Sequence, residues 1–316
     1  MRRGLQRVVL AAGATVLALM LGELLWRAAR TSRYGPTTNP GYVPSDRELG
    51  WRYRPLARAR HRDDGFDVAI EINAQGFRDR PFDDRPDRPR IVALGDSLTF
   101  GWGVEADEGF TSRLEDRLGA DVLNLGVSGY GTDQELLLWE REGRALQPRV
   151  VLLTVCANDL EELARPAAYG RPKPWFSLRD GSLQLGGTPV PAGRLAEWSH
   201  LARSLAAWSV KRSTPPLAAA ERPGAEALQC ALVARLAAEA QADGARLLVV
   251  IDGADAPAPC LRSSSAWALV DVRPALEAAA RSGPVRFATD PHWTPHGHRA
   301  VAEAIASHLE ESGWLR

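Results

Sequence analysis

From residue 89 onward, short apolar runs alternate with longer stretches of helical periodicity, and this alternation constrains the fold more than any other feature of the chain. Runs that are apolar throughout are typical of strands buried on both faces, and helical stretches between them favour parallel pairing. The predicted strands are 90–94, 121–125, 149–155, 245–251 and 285–288, and the predicted helices are 108–118, 132–145, 225–242, 266–281 and 295–311. The pattern predicts an α/β fold with a doubly wound, mostly parallel sheet.

Residues 166–224 interrupt this alternation. The segment is rich in proline and glycine, and it contains an amphipathic piece around Leu195 to Val210. Because ligands bind at the carboxyl edge of open α/β sheets, we expect an insertion at that edge that acts as a lid or a substrate-selecting element. An ordinary surface excursion is the alternative.

The first 30 residues contain an apolar run from Val8 to Trp26 with arginines on both sides. As a helix this run would be about 28 Å long, close to the hydrocarbon thickness of a bilayer. No small-x-small cleavage site follows it, so the sequence predicts an uncleaved single-pass membrane anchor over 1–30, with a cleaved signal peptide as the alternative. The N-terminal position of the helix, ahead of a large domain, favours an extracytoplasmic (periplasmic or extracellular) location for that domain.

Residues 31–88 form a proline- and arginine-rich lead-in to the alternating region, which itself spans 89–316. Within the lead-in, Phe66 to Asn73 alternates with a period of two and predicts a strand, followed by a turn from Asn73 to Gly76. Gly41 to Arg54 has no regular pattern. The charges of Asp79 to Arg88 alternate in sign and predict a solvated linker.

Charge and cysteine content exclude some partners and leave others open. Basic residues number 39 and acidic residues 39, so the net charge does not point to a nucleic-acid partner. Cys156, Cys230 and Cys260 match neither a disulfide framework nor a zinc pattern. A bridge between Cys230 and Cys260 is compatible with an oxidising compartment, although their spacing does not require it.

The first candidate catalytic residue is Ser97, which follows the first predicted strand in the sequence Gly95-Asp96-Ser97. Glycine permits a tight turn, and the serine would stand at the carboxyl end of the strand, where ligands bind. Taken alone, the triplet is equally typical of a turn in which Asp96 or Ser97 caps a helix.

The second and third predicted strands end in groups that can stabilise an oxyanion. Gly126, Gly129 and Gly131 follow the second strand, and the backbone N–H groups of such a turn can converge on one point. A dinucleotide-binding loop is the alternative, but the spacing is not G-x-G-x-x-G. Asn158 follows the third strand and offers an uncharged amide donor, or else it caps a helix.

Asp290 and His292 directly precede the last predicted helix. A histidine with a nearby carboxylate supplies the base and the orienting group that a serine nucleophile requires. His296 and His298 lie at the start of the helix, where we expect structural roles. A metal site built from the three histidines is the alternative, but no upstream cluster offers further ligands at a recognisable spacing, so no metal or other cofactor is expected.

In the order Ser97, Gly129, Asn158 and His292, the chain resembles the SGNH (GDSL-type) hydrolase superfamily, whose four sequence blocks carry these residue types. The resemblance covers 89–160 and 285–312. It implies a three-layer α/β/α fold with a mostly parallel, five-stranded, flavodoxin-like sheet. It also implies that Ser97 is the nucleophile, that His292 is the base and that Asp290 orients it. The oxyanion hole would consist of the Ser97 and Gly129 backbone N–H groups and the Asn158 side-chain amide.

Two positions depart from the family pattern. Cys156 stands where the third block usually has the glycine of Gly-x-Asn-Asp, and Asp290 is two positions before His292 where Asp-x-x-His is usual. The departures leave the turn after the third strand and the Asp–His geometry open. Cys156 as a reactive nucleophile is an alternative, although a cysteine that ends an apolar strand is typically a small buried hydrophobe.

The resemblance predicts a serine esterase that hydrolyses a carboxylic ester through an acyl-enzyme, of the lipase/acylhydrolase or carbohydrate esterase type. Its substrate would be a small-molecule, lipid or glycan ester. One alternative is an envelope polysaccharide O-acetyltransferase that uses the same three residues. A second is a non-catalytic, membrane-anchored binding or assembly protein on a hydrolase fold. Trp102 and Trp293, close in sequence to the expected nucleophile and base, are candidate substrate contacts.

Overall fold

The computed structural model describes residues 2–30, 42–82, 88–156, 158–163, 165–191, 199–213, 221–252 and 258–316. The strands are β1 (Ser45–Asp46), β2 (Gly50–Trp51), β3 (Arg58–Asp63), β4 (Phe66–Glu71), β5 (Arg90–Leu94), β6 (Asp121–Asn124), β7 (Val150–Cys156), β8 (Ala167–Ala168), β9 (Arg171–Pro172), β10 (Trp175–Arg179), β11 (Ser182–Gly186), β12 (Arg246–Asp252) and β13 (Ala268–Asp271). The α-helices are α1 (Arg2–Arg30), α2 (Ser97–Phe100), α3 (Phe110–Leu118), α4 (Thr132–Leu138), α5 (Asp159–Leu163), α6 (His200–Ser213), α7 (Arg222–Ala242), α8 (Arg273–Ala279) and α9 (Pro295–Ser312). Helix α4 continues into a π-helical turn (Trp139–Gly143) and a 3₁₀ turn (Arg144–Leu146).

The central sheet has five strands in the order β6-β5-β7-β12-β13, and every neighbouring pair is parallel. Counted along the chain this order is 2-1-3-4-5, the flavodoxin-like arrangement. The strand order therefore reverses between β5 and β7. A crevice for ligands opens at this point, at the carboxyl ends of the strands.

Successive residues of each strand face opposite sides of the sheet, so each side has its own core. On one side Ile91 and Ala93 pack with α3, α8 and α9, and on the other Val92 and Leu94 pack with α4 and α7. Because helices cover both faces, the central strands carry apolar side chains on both sides, as the sequence predicted. The three-layer α/β/α fold is confirmed.

The prediction for the fifth strand is wrong. The edge strand is β13, which lies inside the predicted helix 266–281, and no strand forms over 285–288. Asp271 ends β13, where its Oδ1 accepts a hydrogen bond from the Arg273 N–H at 3.1 Å. Pro274 then lies in the first turn of α8, where its missing N–H costs no hydrogen bond. One apolar stretch thus holds a short strand and a short helix.

The segment that was predicted as the last strand is instead a loop beside the sheet. Arg286 makes only an isolated antiparallel bridge, to Trp293. The Phe287 N–H donates to the His292 carbonyl at 3.1 Å. The strand-like alternation at 285–288 therefore belongs to a loop whose two sides pair with each other, at Arg286 with Trp293 and at Phe287 with His292.

The lead-in packs into the core of the sheet domain. Trp51 and Tyr53 are both 0% exposed and belong to the same apolar cluster as β5 and β7. The predicted strand from Phe66 is confirmed as β4, which pairs with β3 in an antiparallel hairpin. The turn is also confirmed, because the Gly76 N–H donates to the Asn73 carbonyl at 3.1 Å. Of the predicted linker, 83–87 lies outside the described residues.

Helix α1 contains an apolar span, Gly4–Trp26, with a mean hydropathy of 2.2. By length and composition it is able to cross a membrane, and a signal sequence has the same properties. In the predicted insertion the structure has two hairpins, β8–β9 and β10–β11, and helix α6. Residues 192–198 and 214–220 lie outside the described residues, so only part of the amphipathic piece is described.

Candidate active site

Ser97 lies at the carboxyl end of β5, as the first residue of the short helix α2. The preceding Asp96 caps this helix, because its carboxylate accepts the Leu98 N–H at 2.9 Å. Position 95 requires glycine, because Thr99 packs so close to its backbone that a Cβ would lie 2.1 Å from Thr99 Oγ1. The strand, turn and helix together hold the Ser97 hydroxyl at the edge of the sheet.

His292 and Asp290 come to Ser97 from the loop before α9. His292 Nε2 lies 2.7 Å from Ser97 Oγ, and His292 Nδ1 contacts Asp290 Oδ1. The His292 backbone N–H also donates to Asp290 Oδ1 at 2.9 Å, so the carboxylate turns back onto its own loop. The short Asp-x-His spacing is thereby compatible with a continuous hydroxyl–imidazole–carboxylate array.

Trp102 contacts both members of this pair. Its ring stacks on the His292 imidazole, and its Nε1–H donates to Asp290 Oδ2 at 3.1 Å. Burial raises the pKa of Asp290, but the hydrogen bonds from His292 and Trp102 outweigh it, and the net pKa lies below its ordinary value of 3.8. The carboxylate is therefore ionised at neutral pH. His61 of β3 also packs on Trp102, in an edge-to-face arrangement with 4.2 Å between ring centroids.

The loop that carries Asp290 and His292 is fixed to the end of β12. Arg286 donates to both carboxylate oxygens of Asp252 at 2.8 Å and to the Pro291 carbonyl at 2.6 Å. Trp293 Nε1–H also donates to Asp252, at 2.7 Å. Trp293 is fully buried and anchors the loop, whereas Trp102 lines the cavity beside Ser97.

The glycine-rich loop after β6 brings Gly129 to the same cavity. Gly129 has φ +81°, a left-handed conformation that favours glycine. The residue before it is held by the lead-in: the Ser128 N–H donates to the Tyr53 hydroxyl at 2.9 Å, and its carbonyl accepts Trp51 Nε1–H at 3.2 Å. The buried lead-in aromatics thus determine where the Gly129 backbone lies.

Asn158 stands between β7 and α5. Its side-chain amide donates to Glu162 Oε1 at 3.1 Å, and the Tyr169 hydroxyl donates to the same oxygen at 2.7 Å. An amide NH₂ carries two hydrogens, so the bond to Glu162 uses one of them and the second can still be donated to another acceptor.

Four of the predicted site residues meet in one cavity of about 660 Å³. Its lining residues are Asp96, Ser97, Leu98, Trp102, Ser128, Gly129, Cys156, Asn158, Tyr169, Asp252, Arg286, Pro291 and His292. Asp290 is not one of the lining residues, but it contacts Nδ1 of His292, which is. The nucleophile, base and oxyanion candidates from four separate stretches of sequence are therefore adjacent.

Residues 93–300 match the family model described as the GDSL-like lipase/acylhydrolase family, over more than half of the chain. The chain belongs to this family. It is a hydrolase that acts on ester bonds. A search among curated proteins finds no match.

Solved structures similar to this GDSL-like hydrolase include TesA, with a TM-score of 0.43 and 16% identity over 70% of this chain and 98% of that chain. Another is a catalytic mutant of Axe2, an acetylxylan esterase from Geobacillus stearothermophilus, with a TM-score of 0.43 and 16% identity over 74% of this chain and 99% of that chain. A third is the lipase/acylhydrolase from Enterococcus faecalis, with a TM-score of 0.43 and 14% identity over 71% and 96% of the two chains.

Cys156, where GDSL-type sequences usually have glycine, is buried against carboxylates. Its Sγ lies 3.2 Å from Asp96 Oδ2, and its N–H donates to Asp159 Oδ2 at 3.1 Å. Burial raises the pKa of the Cys156 thiol well above its usual value, as do the nearby carboxylates, so the thiol stays protonated and is a poor nucleophile. The side chain fills space in the turn after β7.

The side chains of this hydrolase that are potential metal ligands form hydrogen bonds with other parts of the protein. Among the described residues, Asp96, Cys156 and Asp159 bring ligand atoms within 4.8 Å of one another, but hydrogen bonds within the turn already occupy them. His298 Nδ1 accepts the Phe110 N–H at 3.2 Å. His296 Nε2 instead lies 2.9 Å from the Ala279 carbonyl. The three histidines therefore face different partners, and their geometry does not fit a shared metal site.

Tyr53, Glu162, Tyr169 and Arg286 are site neighbours that the sequence analysis did not identify. A local signal existed for Glu162, because it follows Asn158 by four positions and such residues share a helix face. Tyr53 acts across 75 positions of chain, through its bond with Ser128, and Arg286 acts across 34, through Asp252. Tyr169 lies in a proline-rich segment without periodicity. No local pattern predicts contacts of that kind.

Proposed function

We propose that this hydrolase is a serine esterase in which Ser97 is the nucleophile, His292 the general base and Asp290 the residue that orients it. The observation that carries the proposal is the continuous array from Ser97 Oγ through the imidazole to the Asp290 carboxylate. The array requires the Nδ1–H tautomer of His292, because an ionised Asp290 can only accept. This tautomer leaves Nε2 free to accept the hydroxyl proton.

In the acylation step His292 Nε2 takes the Ser97 proton while Oγ attacks the ester carbonyl carbon. The tetrahedral intermediate collapses, the C–O bond to the alcohol breaks, and His292 returns the proton to the leaving oxygen. Water, deprotonated by the same imidazole, then attacks the acyl carbon, the bond to Ser97 Oγ breaks as His292 returns the proton to that oxygen, and the acid is released. Asp290 stays ionised throughout and stabilises the imidazolium that forms twice in the cycle.

The oxyanion would be bound by the backbone N–H groups of Ser97 and Gly129 and by the Asn158 amide. Their shared position on the cavity wall supports this assignment. Preorganised donors of this kind are worth about 10²- to 10³-fold in kcat when one is removed.

We also propose that α1 anchors the enzyme and that the catalytic domain lies outside the cytoplasm. The apolar span Gly4–Trp26 supports the anchor, and a disulfide between Cys230 and Cys260 supports an oxidising compartment. If so, the full chain should resist extraction from membranes by alkaline carbonate, and a membrane-impermeant protease should digest the domain in spheroplasts. A domain that the protease leaves intact in spheroplasts would lie in the cytoplasm and would contradict this topology.

The decisive experiment replaces Ser97 in the detergent-solubilised full chain and follows hydrolysis of a chromogenic short-chain ester. Ser97→Ala should lower kcat by about 10³-fold or more, because loss of a nucleophile removes the covalent pathway. It should also abolish labelling by a fluorophosphonate probe. Ser263→Ala, at an exposed serine, is the matched control. Full activity of Ser97→Ala would refute the proposal, and transfer of the acyl group to a sugar hydroxyl in place of acid release would identify a transferase.

A further inference from the structure

One carboxyl oxygen connects the insertion to the expected oxyanion hole. Glu162 Oε1 accepts hydrogen bonds from two different segments, the Asn158 amide at 3.1 Å and the Tyr169 hydroxyl at 2.7 Å. Asn158 directly precedes the short helix α5 that carries Glu162, whereas Tyr169 belongs to the β8–β9 hairpin of the insertion. Asn158 and Tyr169 both line the cavity beside Ser97.

Glu162 is an unusual residue for this position, because its side chain is 7% exposed. A buried carboxyl is costly unless hydrogen bonds compensate it. Burial raises its pKa to about 8, so the group is neutral at physiological pH. Its two hydrogen bonds are with Asn158 and Tyr169, and Oε2 has no partner in the described part of the chain. The carboxyl therefore contributes to the fold chiefly through these two contacts.

Tyr169 adopts a backbone conformation that a tyrosine rarely takes. It has φ +51° and is followed by Gly170 with φ +74°, so both central residues of the two-residue turn between β8 and β9 have positive φ. Turns of this type favour asparagine or glycine at the first position, and a tyrosine there is strained. The strained conformation places the ring on the cavity wall and the hydroxyl on Glu162. Such strain is typical of functional positions.

The hairpin is fixed to the sheet domain by a buried ion pair. Lys173, just after β9, contacts the Asp133 carboxylate of α4, and both side chains are 0% exposed. The Lys173 N–H also donates to the Pro166 carbonyl at 3.0 Å, which closes the base of the hairpin. These contacts hold Tyr169 in a defined place relative to α5. The hairpin is thus a scaffold for the cavity.

We propose that Glu162 and Tyr169 are positioning residues that fix the Asn158 amide for oxyanion binding. The inference rests on the proposed function, since it assumes that Asn158 binds the oxyanion. With one amide hydrogen held by Glu162, the side chain cannot rotate freely, and the second hydrogen stays available to the substrate. The insertion hairpin then contributes to the oxyanion hole, because Tyr169 holds the Glu162 oxygen that in turn holds the Asn158 amide.

The test compares kcat and KM of full-length variants on a chromogenic short-chain ester. Glu162→Ala should lower kcat about 10-fold with KM nearly unchanged, because the oxyanion forms only after substrate binds. Glu162→Gln is neutral and keeps the Oε1 acceptor, so it should restore kcat to within about 3-fold of the wild type. Tyr169→Phe, which removes one of the two bonds, should fall between these variants. Glu161→Ala, at the exposed neighbouring position, is the matched control.

A double-mutant cycle with Asn158→Ala separates positioning from a general structural effect. If Glu162 acts through Asn158, Glu162→Ala should have no further effect on kcat in the Asn158→Ala background. Additive losses, or a Glu162→Gln variant as impaired as Glu162→Ala, would overturn the proposal. Failure of the proposed function is distinguishable, because it would appear as activity of Ser97→Ala, whereas failure of the positioning proposal leaves Ser97→Ala inactive.

Discussion

The indole of Trp102 stacks on the imidazole of His292, with ring centroids 5.0 Å apart and 21° between the ring planes. The same indole donates its N–H to Asp290 Oδ2 at 3.1 Å. One side chain from the segment after Ser97 therefore holds both His292 and Asp290, which come from the other end of the domain. His61 of the lead-in packs edge-to-face on the same indole.

Replacing Trp102 should reduce the rate without removing any reacting group. Trp102→Phe keeps an aromatic ring but loses the hydrogen bond to Asp290, and we expect kcat/KM to fall about 3- to 10-fold. Trp102→Ala should lower kcat/KM by about 10²-fold, because the imidazole then also loses the ring that stacks on it. Steady-state hydrolysis of a chromogenic ester measures both. Trp314→Phe, distant from the site, serves as control. Wild-type kinetics for Trp102→Ala would show that the array needs no such support.

Tyr53 should be important for both stability and catalysis. Tyr53→Phe leaves the buried Ser128 N–H without its acceptor, which should lower the free energy of unfolding by about 1–3 kcal/mol. It should also reduce kcat, because Ser128 then no longer holds the backbone of the neighbouring Gly129 in place. Urea unfolding and ester hydrolysis measure the two effects. Tyr42→Phe is the matched control, because the buried Tyr42 hydroxyl has no partner among the described residues and its removal should cost nothing. Equal losses in the two variants would contradict the assignment.

Buried carboxyls should make the protein less stable as the pH rises above 6.5. Burial raises the pKa of Glu162 to about 8, whereas an unfolded glutamate loses its proton near pH 4.3. Between these values the folded state binds more protons than the unfolded state, so stability falls with increasing pH. Burial lowers the pKa of His61 to about 4 and that of His298 to about 3, and this opposing effect acts only below about pH 6.5.

Urea unfolding at pH 6.5 and pH 8.5 tests this dependence. Glu162 should contribute a loss of about 1–2 kcal/mol across the window. Asp79, whose pKa burial raises to about 7, adds a smaller loss of the same sign. Burial also raises the pKa values of Glu135 and Asp159, so these carboxyls add losses of the same sign. Glu162→Gln should reduce the slope by the contribution of Glu162, and Glu161→Gln should leave it unchanged. A slope unchanged by Glu162→Gln would mean that the carboxyl is ionised throughout.

The Cys230–Cys260 disulfide joins α7 to the 3₁₀ turn after β12, across 30 positions of sequence. A cross-link of this length should stabilise the fold by about 3–4 kcal/mol, because it restricts the unfolded chain. The double variant Cys230→Ala/Cys260→Ala should therefore unfold at a clearly lower temperature. Cys156→Ala, a buried cysteine outside the bridge, controls for loss of sulfur alone. If the native protein reacts as three free thiols after unfolding in denaturant, the disulfide is absent.

Local sequence patterns suffice to predict a strand that is buried on both faces. Strands β5, β6, β7 and β12 are apolar on both faces, so a short unbroken run predicts each of them. All four residues of edge strand β13 are only partly buried, and its apolar run merges with the helix that follows, so periodicity alone misplaced it. Arg286 and Phe287 alternate like a strand although their pairing is a single bridge.

By itself the sequence determined the parallel α/β layers and the order of Ser97, Gly129, Asn158 and His292, because burial on both faces and turn chemistry are local properties of a chain. Only the tertiary structure decided how these groups are held. Trp102 beside Asp290, Tyr53 on Ser128, and Tyr169 on Glu162 are contacts between segments distant in sequence or in irregular loops. They depend on how the layers pack, and packing distances are not encoded in any short pattern of residues.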